Sequence, residues 1–222
     1  MDSETGSKYT LAIESAVGGG SISLQIGGSE IADWSGSDNV SRAEDLLPNM
    51  IDMLARSSVD RRSIGRIAVS VGPGSYTGIR IGIATALGLK AALGVPCVGV
   101  PVLKAMAMSS AGVGSLLAAV PMGRRSICFQ TFNVSGDRQV KPASDPVVCN
   151  LISDHLATIE NVNEIVVYDS ILAGVREAMP GRNIRSTGFN LARLIGTAVD
   201  GIEETGTIEP IFLTPAVQVV PQ

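Results

Sequence analysis

Few residues in this chain of 222 have the types and spacing that chemistry requires. The clearest group is Gly72-Pro73-Gly74-Ser75-Tyr76-Thr77-Gly78, with glycines spaced as GxGxxxG and Arg80 two residues on. A glycine-rich turn ahead of a helix can hold phosphate on its backbone N–H groups. Pro73 removes one such donor, and no GK[ST] sequence follows. Two readings stand: a tight turn that only shapes the helix start, or a weak anion contact by Ser75, Thr77 and Arg80.

Other chemistry is thinner still. A serine nucleophile at Ser75 would need a base within hydrogen-bonding reach. The single histidine, His155, lies far away on a polar stretch, and one histidine cannot build a metal site. Cys97, Cys128 and Cys149 are widely spaced with no CxxC, so neither disulfides nor zinc is expected. Glu14 precedes Gly18-Gly19-Gly20 and reads either as a metal-organising carboxylate or as a plain strand end before a turn.

The elements that would position these groups follow from apolar spacing. Arg66–Val71 is a branched apolar run of strand length, broken by the Gly-Pro-Gly turn. A long helix follows, capped by Ser75 or Thr77 and stopped by Gly94 and Pro96, and Val95–Val100 returns as a parallel strand. Within that helix Gly78, Gly82 and Ala86 recur every four residues. Each mid-helix glycine costs about 1 kcal/mol against alanine, so close approach of another backbone is the expected compensation. Ile79, Ile83 and Leu87 are expected to cover the helix's own sheet, leaving the small-residue ridge for a partner.

Ahead of this unit, Tyr9–Glu14, Ser21–Ile26 and Glu30–Trp34 read as an antiparallel meander, and Ser41–Ala55 as an amphipathic helix. Beyond it come a short helix over Val102–Ser110, strands around Leu116–Val120 and Ser126–Val134, and a loop over Gly136–Pro146. A helix over Leu151–Ile159, a strand at Glu164–Tyr168, and helices over Ile171–Met179 and Phe189–Val199 precede an extended tail. The class is α/β, with a first lobe at residues 8–103 and a smaller second lobe at 104–222. The last helix and tail are free to pack back on the first. Strands followed by helices in both halves suggest two related units of the ribonuclease-H-like type.

Composition narrows the classes. Net charge is −4, from 17 basic and 21 acidic residues, which gives no footprint for holding nucleic acid unaided. The opening MDSETGSKYT is polar and lacks a signal-peptide layout, and no stretch reaches the length of a membrane span. A cytoplasmic protein without membrane contact is expected.

The stretch GPGSYTGIRIG, Gly72–Gly82, resembles the GPGSFTGxRxG signature of the TsaB (YeaZ) family. LAIESA at Leu11–Ala16, LLP at Leu46–Pro48, GVPCVGVPVL at Gly94–Leu103 and EPIFLTPA at Glu209–Ala216 resemble it too. The resemblance is dense over Leu11–Ala107 and thin afterwards, apart from the tail. It implies a two-lobed actin-like (ASKHA) fold and a role in making threonylcarbamoyladenosine in tRNA. It further implies a non-catalytic subunit that holds a TsaD-like transferase, with a TsaE-like ATPase in the same assembly, a homodimer when alone, and tRNA met only indirectly.

Enzymes of that fold place a carboxylate after the first strand and glycine-rich turns in both lobes. Glu14 stands at the carboxylate position, where the family usually has aspartate. Pro121-Met122-Gly123 and Tyr168-Asp169-Ser170 stand where the second lobe would need other residues, and neither can wrap a diphosphate. No cofactor is expected to bind the isolated chain tightly, which leaves a nucleotide at the partner interface as the remaining expectation. The partner interface is expected at Leu46, Met50 and Met53 of the first helix and at Gly78, Gly82, Thr85, Ala86 and Leu89 of the second. The alternative is an ATP-dependent kinase-like or peptidase-like enzyme of the same fold.

Overall fold

The computed structural model describes residues 9–37, 45–123, 126–150, 159, 161–188, 190–202 and 207–213. Five strands form the first sheet: β1 (Tyr9–Glu14), β2 (Ser21–Ile26), β3 (Ser29–Ser35), β4 (Ile64–Ser70) and β5 (Cys97–Val100). Their order is β3-β2-β1-β4-β5, antiparallel through the meander and parallel from β1 to β4 to β5. The parallel part follows from the crossover helix α2 (Tyr76–Leu93), which joins β4 to β5.

Alternation along the strands builds two cores from one sheet. Leu11 and Ile13 face one side with Ile22, Leu24, Ile67 and Val69. There they meet helix α1 (Leu46–Arg56) through Leu46, Met50 and Met53, and α2 through Ala86. Each of those large α1 side chains, fully buried, contributes about 1.5–3 kcal/mol. The intervening Ala12 and Ala68 face the other side and meet helices α3 (Val102–Met108) and α5 (Leu191–Ala198).

The second sheet has the order β11-β10-β6-β7-β8, made of β6 (Gly114–Met122), β7 (Ser126–Val134), β8 (Val140–Pro142), β10 (Glu164–Val167) and β11 (Ile184–Ser186). Strand β9 (Val147–Asn150) pairs with the first half of β7, beyond β8 on the same strand. Leu116, Ala118 and Val120 face α3 and α5, while Leu117, Ala119, Ile165 and Val167 face helix α4 (Leu172–Ala178). The layers therefore run helices α1 and α2, first sheet, helices α3 and α5, second sheet, helix α4.

A polar seam holds α5 on β2. Ser21 Oγ accepts the Ala192 N–H at 2.9 Å, satisfying a donor in the first helical turn. Gln25 Nε2 donates to the Arg193 carbonyl at 2.9 Å and to Ser23 Oγ at 3.0 Å. Gly196 makes room, because a Cβ there would lie 2.6 Å from the Gln25 amide nitrogen. The tail returns to the first sheet through Ile211 N–H, which donates to the Val71 carbonyl at 2.7 Å.

One local expectation needs correction, and others fall on residues outside the described ones. The stretch Gly136–Pro146 contains strand β8 instead of being loop throughout, and β9 and β11 are strands that patterning does not reveal. The first helix begins at Leu46 among the described residues, and Ser41–Glu44 lie outside them. The expected helix at Leu151–Ile159 also lies outside them except for Ile159, and so does His155.

Candidate functional site

The first-strand loop and the start of α2 are built as one unit. Glu14 ends β1, is 1% exposed, and its Oε1 accepts the N–H groups of Ala16 at 2.6 Å and Val17 at 3.0 Å. Burial pushes the carboxyl up to about 8, against the opposing pull of those two N–H groups. Its acceptor is therefore spent on turning the chain after β1.

The next residue ties that loop to the helix. Ser15 Oγ donates to the Gly78 carbonyl at 2.8 Å, and Ser75 N–H donates to the Ala16 carbonyl at 2.7 Å. A Cβ on Gly78 would collide with the Ser15 carbonyl oxygen, and one on Gly82 would collide with Ser15 Oγ. Ala86 is fully buried one turn on, in the core shared with α1. The small-residue ridge thus lets this chain's own loop and sheet approach α2, and it is not available to a foreign helix.

The interface expected from the sequence must be corrected accordingly. Leu46, Met50, Met53, Gly78, Gly82 and Ala86 are all buried within the chain, while Thr85 and Leu89 are half-buried. The physical reasons are the loop of Ser15 and Ala16, which crosses α2 at Gly78 and Gly82, and the first sheet, against which Leu46, Met50, Met53 and Ala86 pack. Ile79 and Ile83 do face inward, but Leu87 does not: it is 43% exposed.

The outward face has other residues. On α2 it includes Tyr76, Arg80, Ala84, Leu87, Gly88, Lys90 and Ala91. On α1, which covers the same side of the first sheet, Leu47 and Ile51 are 46% and 61% exposed. Sequence reasoning missed these because α1 carries two apolar stripes, and the Met50 stripe is the one that packs inward. The usable signal was the i, i+4 pair Leu47 and Ile51, apolar residues left over after one face had been assigned.

The anion contact expected from Ser75, Thr77 and Arg80 is occupied by local partners in part. Ser75 Oγ accepts the Gly78 N–H at 3.3 Å as the N-cap, and Ile79 N–H donates to the Ser75 carbonyl at 2.9 Å. The Arg80 guanidinium lies 5.4 Å from the centroid of the Tyr76 ring, which in turn packs on Phe212 at 4.6 Å. Thr77 is exposed.

Elsewhere, burial raises the thiols of Cys97 and Cys128 to about 11 and about 12, which leaves both as thiols at neutral pH. No group of three or more metal-ligating side chains forms among the described residues. No helix among them is long and apolar enough to cross a membrane.

Comparison with known proteins bears on this arrangement. Residues 40–152, about half of the chain, match the family model described as TsaD, tRNA N6-adenosine threonylcarbamoyltransferase. An uncharacterized protein of Mycobacterium tuberculosis is 33% identical over 106 residues, 48% of this chain and 49% of that one. The tRNA threonylcarbamoyladenosine biosynthesis protein TsaB of Escherichia coli is 38% identical over 78 residues, 34% of each. The alignments thus span half or less of the curated relatives' length.

Among solved structures, YeaZ from Pseudomonas aeruginosa superimposes with a TM-score of 0.69 at 21% identity, covering 93% of this chain and all of that one. The activator of 2-hydroxyisocaproyl-CoA dehydratase from Clostridium difficile gives 0.52 at 9% identity, over 86% of this chain and 93% of that one. At such identities the likeness is one of fold, and with the two-sheet layering it makes the architecture two-lobed and actin-like.

Proposed function

The chain belongs to the family that the TsaD model describes, among its TsaB (YeaZ) proteins, and from that premise we propose that it serves as a non-catalytic subunit in making threonylcarbamoyladenosine in tRNA. Its task in this reading is to hold a TsaD-like transferase. Alone, it pairs with a second copy through the same surface. A TsaE-like ATPase joins the assembly, and any nucleotide sits where subunits meet. Contact with tRNA passes through the partner, in keeping with this chain's net charge of −4. The setting is the cytoplasm.

One observation carries the reading: Leu47, Ile51 and Leu87 present large apolar side chains to solvent from two helices on one side of the first sheet. Small residues Ala84, Gly88 and Ala91 beside them allow a partner helix to come close. The role of Glu14 supports the non-catalytic part, because its carboxyl is buried against the backbone that it caps. Co-expression with the TsaD-like protein of the same organism, followed by size-exclusion chromatography, tests the proposal. A single co-eluting complex is expected, and separate elution of the two chains would overturn it.

A further inference from the structure

The tail is held against the first sheet from several sides. A Cβ on Gly99 of β5 would lie 3.2 Å from Ile208 Cγ2, and one on Gly72, just past β4, would lie 2.9 Å from the Ile211 carbonyl oxygen. Both glycines thus leave room for the tail to pass. The Ile211 N–H donates to the Val71 carbonyl at 2.7 Å, and the side chains of Ile208 and Leu213 pack on the two cores that the first sheet separates. Phe212, between two anchored residues, takes no part in this anchoring.

Its ring is instead turned onto Tyr76, the first residue of α2, and both rings remain exposed. Arg80 reaches over Tyr76 one turn further on. Helical spacing places Tyr76, Arg80, Leu87 and Ala91 within about 60° of one another around α2, so the ring pair ends a stripe that Leu87 continues ~16 Å along the axis. Five of the eight large apolar side chains exposed among the described residues, Leu47, Ile51, Tyr76, Leu87 and Phe212, therefore lie on α1, on α2 or on the segment stacked against α2.

We propose that Phe212, held on Tyr76, is a contact residue for the TsaD-like protein, so that the tail supplies one end of the partner surface. This rests on the reading of that surface given above. Aromatic rings and arginine are the side chains that most often carry binding energy at interfaces, and a ring already held by its neighbours loses little freedom on docking. The partner segment that fits is apolar and carries a carboxylate for Arg80, which forms no ion pair among the described residues. A second copy is the poorer occupant, because α2 contains no carboxylate and Asp52, the only one on α1, is taken by Arg56.

Titration of the full chain with the TsaD-like protein of the same organism tests this. Phe212→Ala is expected to weaken the complex about tenfold, the effect of losing one strong interface contact. The melting temperature of the free chain should change little, since Ile208, Ile211 and Leu213 still anchor the tail. Phe212→Trp is expected to keep the complex, and its indole emission to move to shorter wavelength on binding, beyond any change that Trp34 alone gives in the parent. Arg80→Glu should weaken association with the TsaD-like protein and strengthen self-association. A parent chain that does not bind the TsaD-like protein would overturn the partner reading and this proposal together. A parent complex matched in affinity by Phe212→Ala, an indole that does not shift, or an Arg80→Glu chain that binds the TsaD-like protein more tightly would overturn this proposal alone, leaving the partner surface on Leu47, Ile51 and Leu87.

Discussion

The hydroxyl of Ser15 donates to the carbonyl of Gly78 at 2.8 Å, across 63 residues of chain, and so joins the loop after the first strand to the first turn of α2. The contact is possible only because the helix carries no side chain there.

Gly78→Ala is therefore expected to destabilise the chain, although alanine is the better helix former. The added Cβ meets the Ser15 carbonyl, a backbone atom that cannot rotate away. Overpacking of this kind costs about 1–3 kcal/mol, more than the gain of about 1 kcal/mol in helix propensity. Gly82→Leu should be worse, since a whole side chain must displace Ser15. Urea denaturation measures both, and a Gly78→Ala variant as stable as the parent would show that the loop is not packed as described.

Much of this arrangement was legible in the sequence, and the failures have a common physical cause. Helix α2 was bounded well by its caps, since Ser75 caps its first turn and Gly94 closes it at φ +68°. The meander and the two sheets followed from alternation. The inward side of α2 was not legible, because the loop that selects it comes from 63 residues away. Strands β8, β9 and β11 escaped for a related reason: each has three or four residues, and β7 or β10 supplies the pairing that their own pattern does not announce. For the candidate site, Leu46, Met50, Gly78 and Gly82 prove to be packed within the chain, against a loop and a sheet whose position their own spacing does not announce.

Glu14 makes stability depend on pH. Its carboxyl titrates at about 8 when folded and at the ordinary 4.5 when unfolded. Between those values the folded chain holds a proton that the unfolded chain has released, so stability is full below the window and falls as the pH rises through it. Glu14→Gln keeps an acceptor for the Ala16 and Val17 N–H groups and carries no charge to bury. The variant is expected to melt higher than the parent at about pH 8.5, with a stability gain on the order of a few kcal/mol, and to differ much less at about pH 5. Parallel pH profiles for the two proteins would rule out the buried proton.

Adjacent residues on α1 should behave in opposite ways. Met50 is 2% exposed and Ile51 61%. Met50→Asp places an unpaired charge in the core and is expected to unfold the chain. Ile51→Asp should change the melting temperature little, by about 0.5 kcal/mol or less in stability, yet abolish association with the TsaD-like protein and with a second copy. Sedimentation of the Ile51→Asp protein, alone and mixed, reads this out directly. Association that survives the substitution would move the partner surface elsewhere.

The seam between α5 and β2 offers a last measurement. Ser21 is fully buried, and its hydroxyl oxygen is the acceptor for the Ala192 N–H, a group that the helix itself cannot satisfy. Ser21→Ala leaves that donor without its partner in a site closed to water, at a cost of about 1–3 kcal/mol. Ser23 provides the contrast: its hydroxyl accepts from Gln25 and donates to Glu30, and no helix donor depends on it. Ser21→Ala should therefore raise hydrogen exchange along α5 and loosen its packing on β1 and β2, whereas Ser23→Ala should leave α5 protected. Equal protection of α5 in the two variants would mean that apolar contacts of Leu191 and Ile195 hold the helix without help from the hydroxyl.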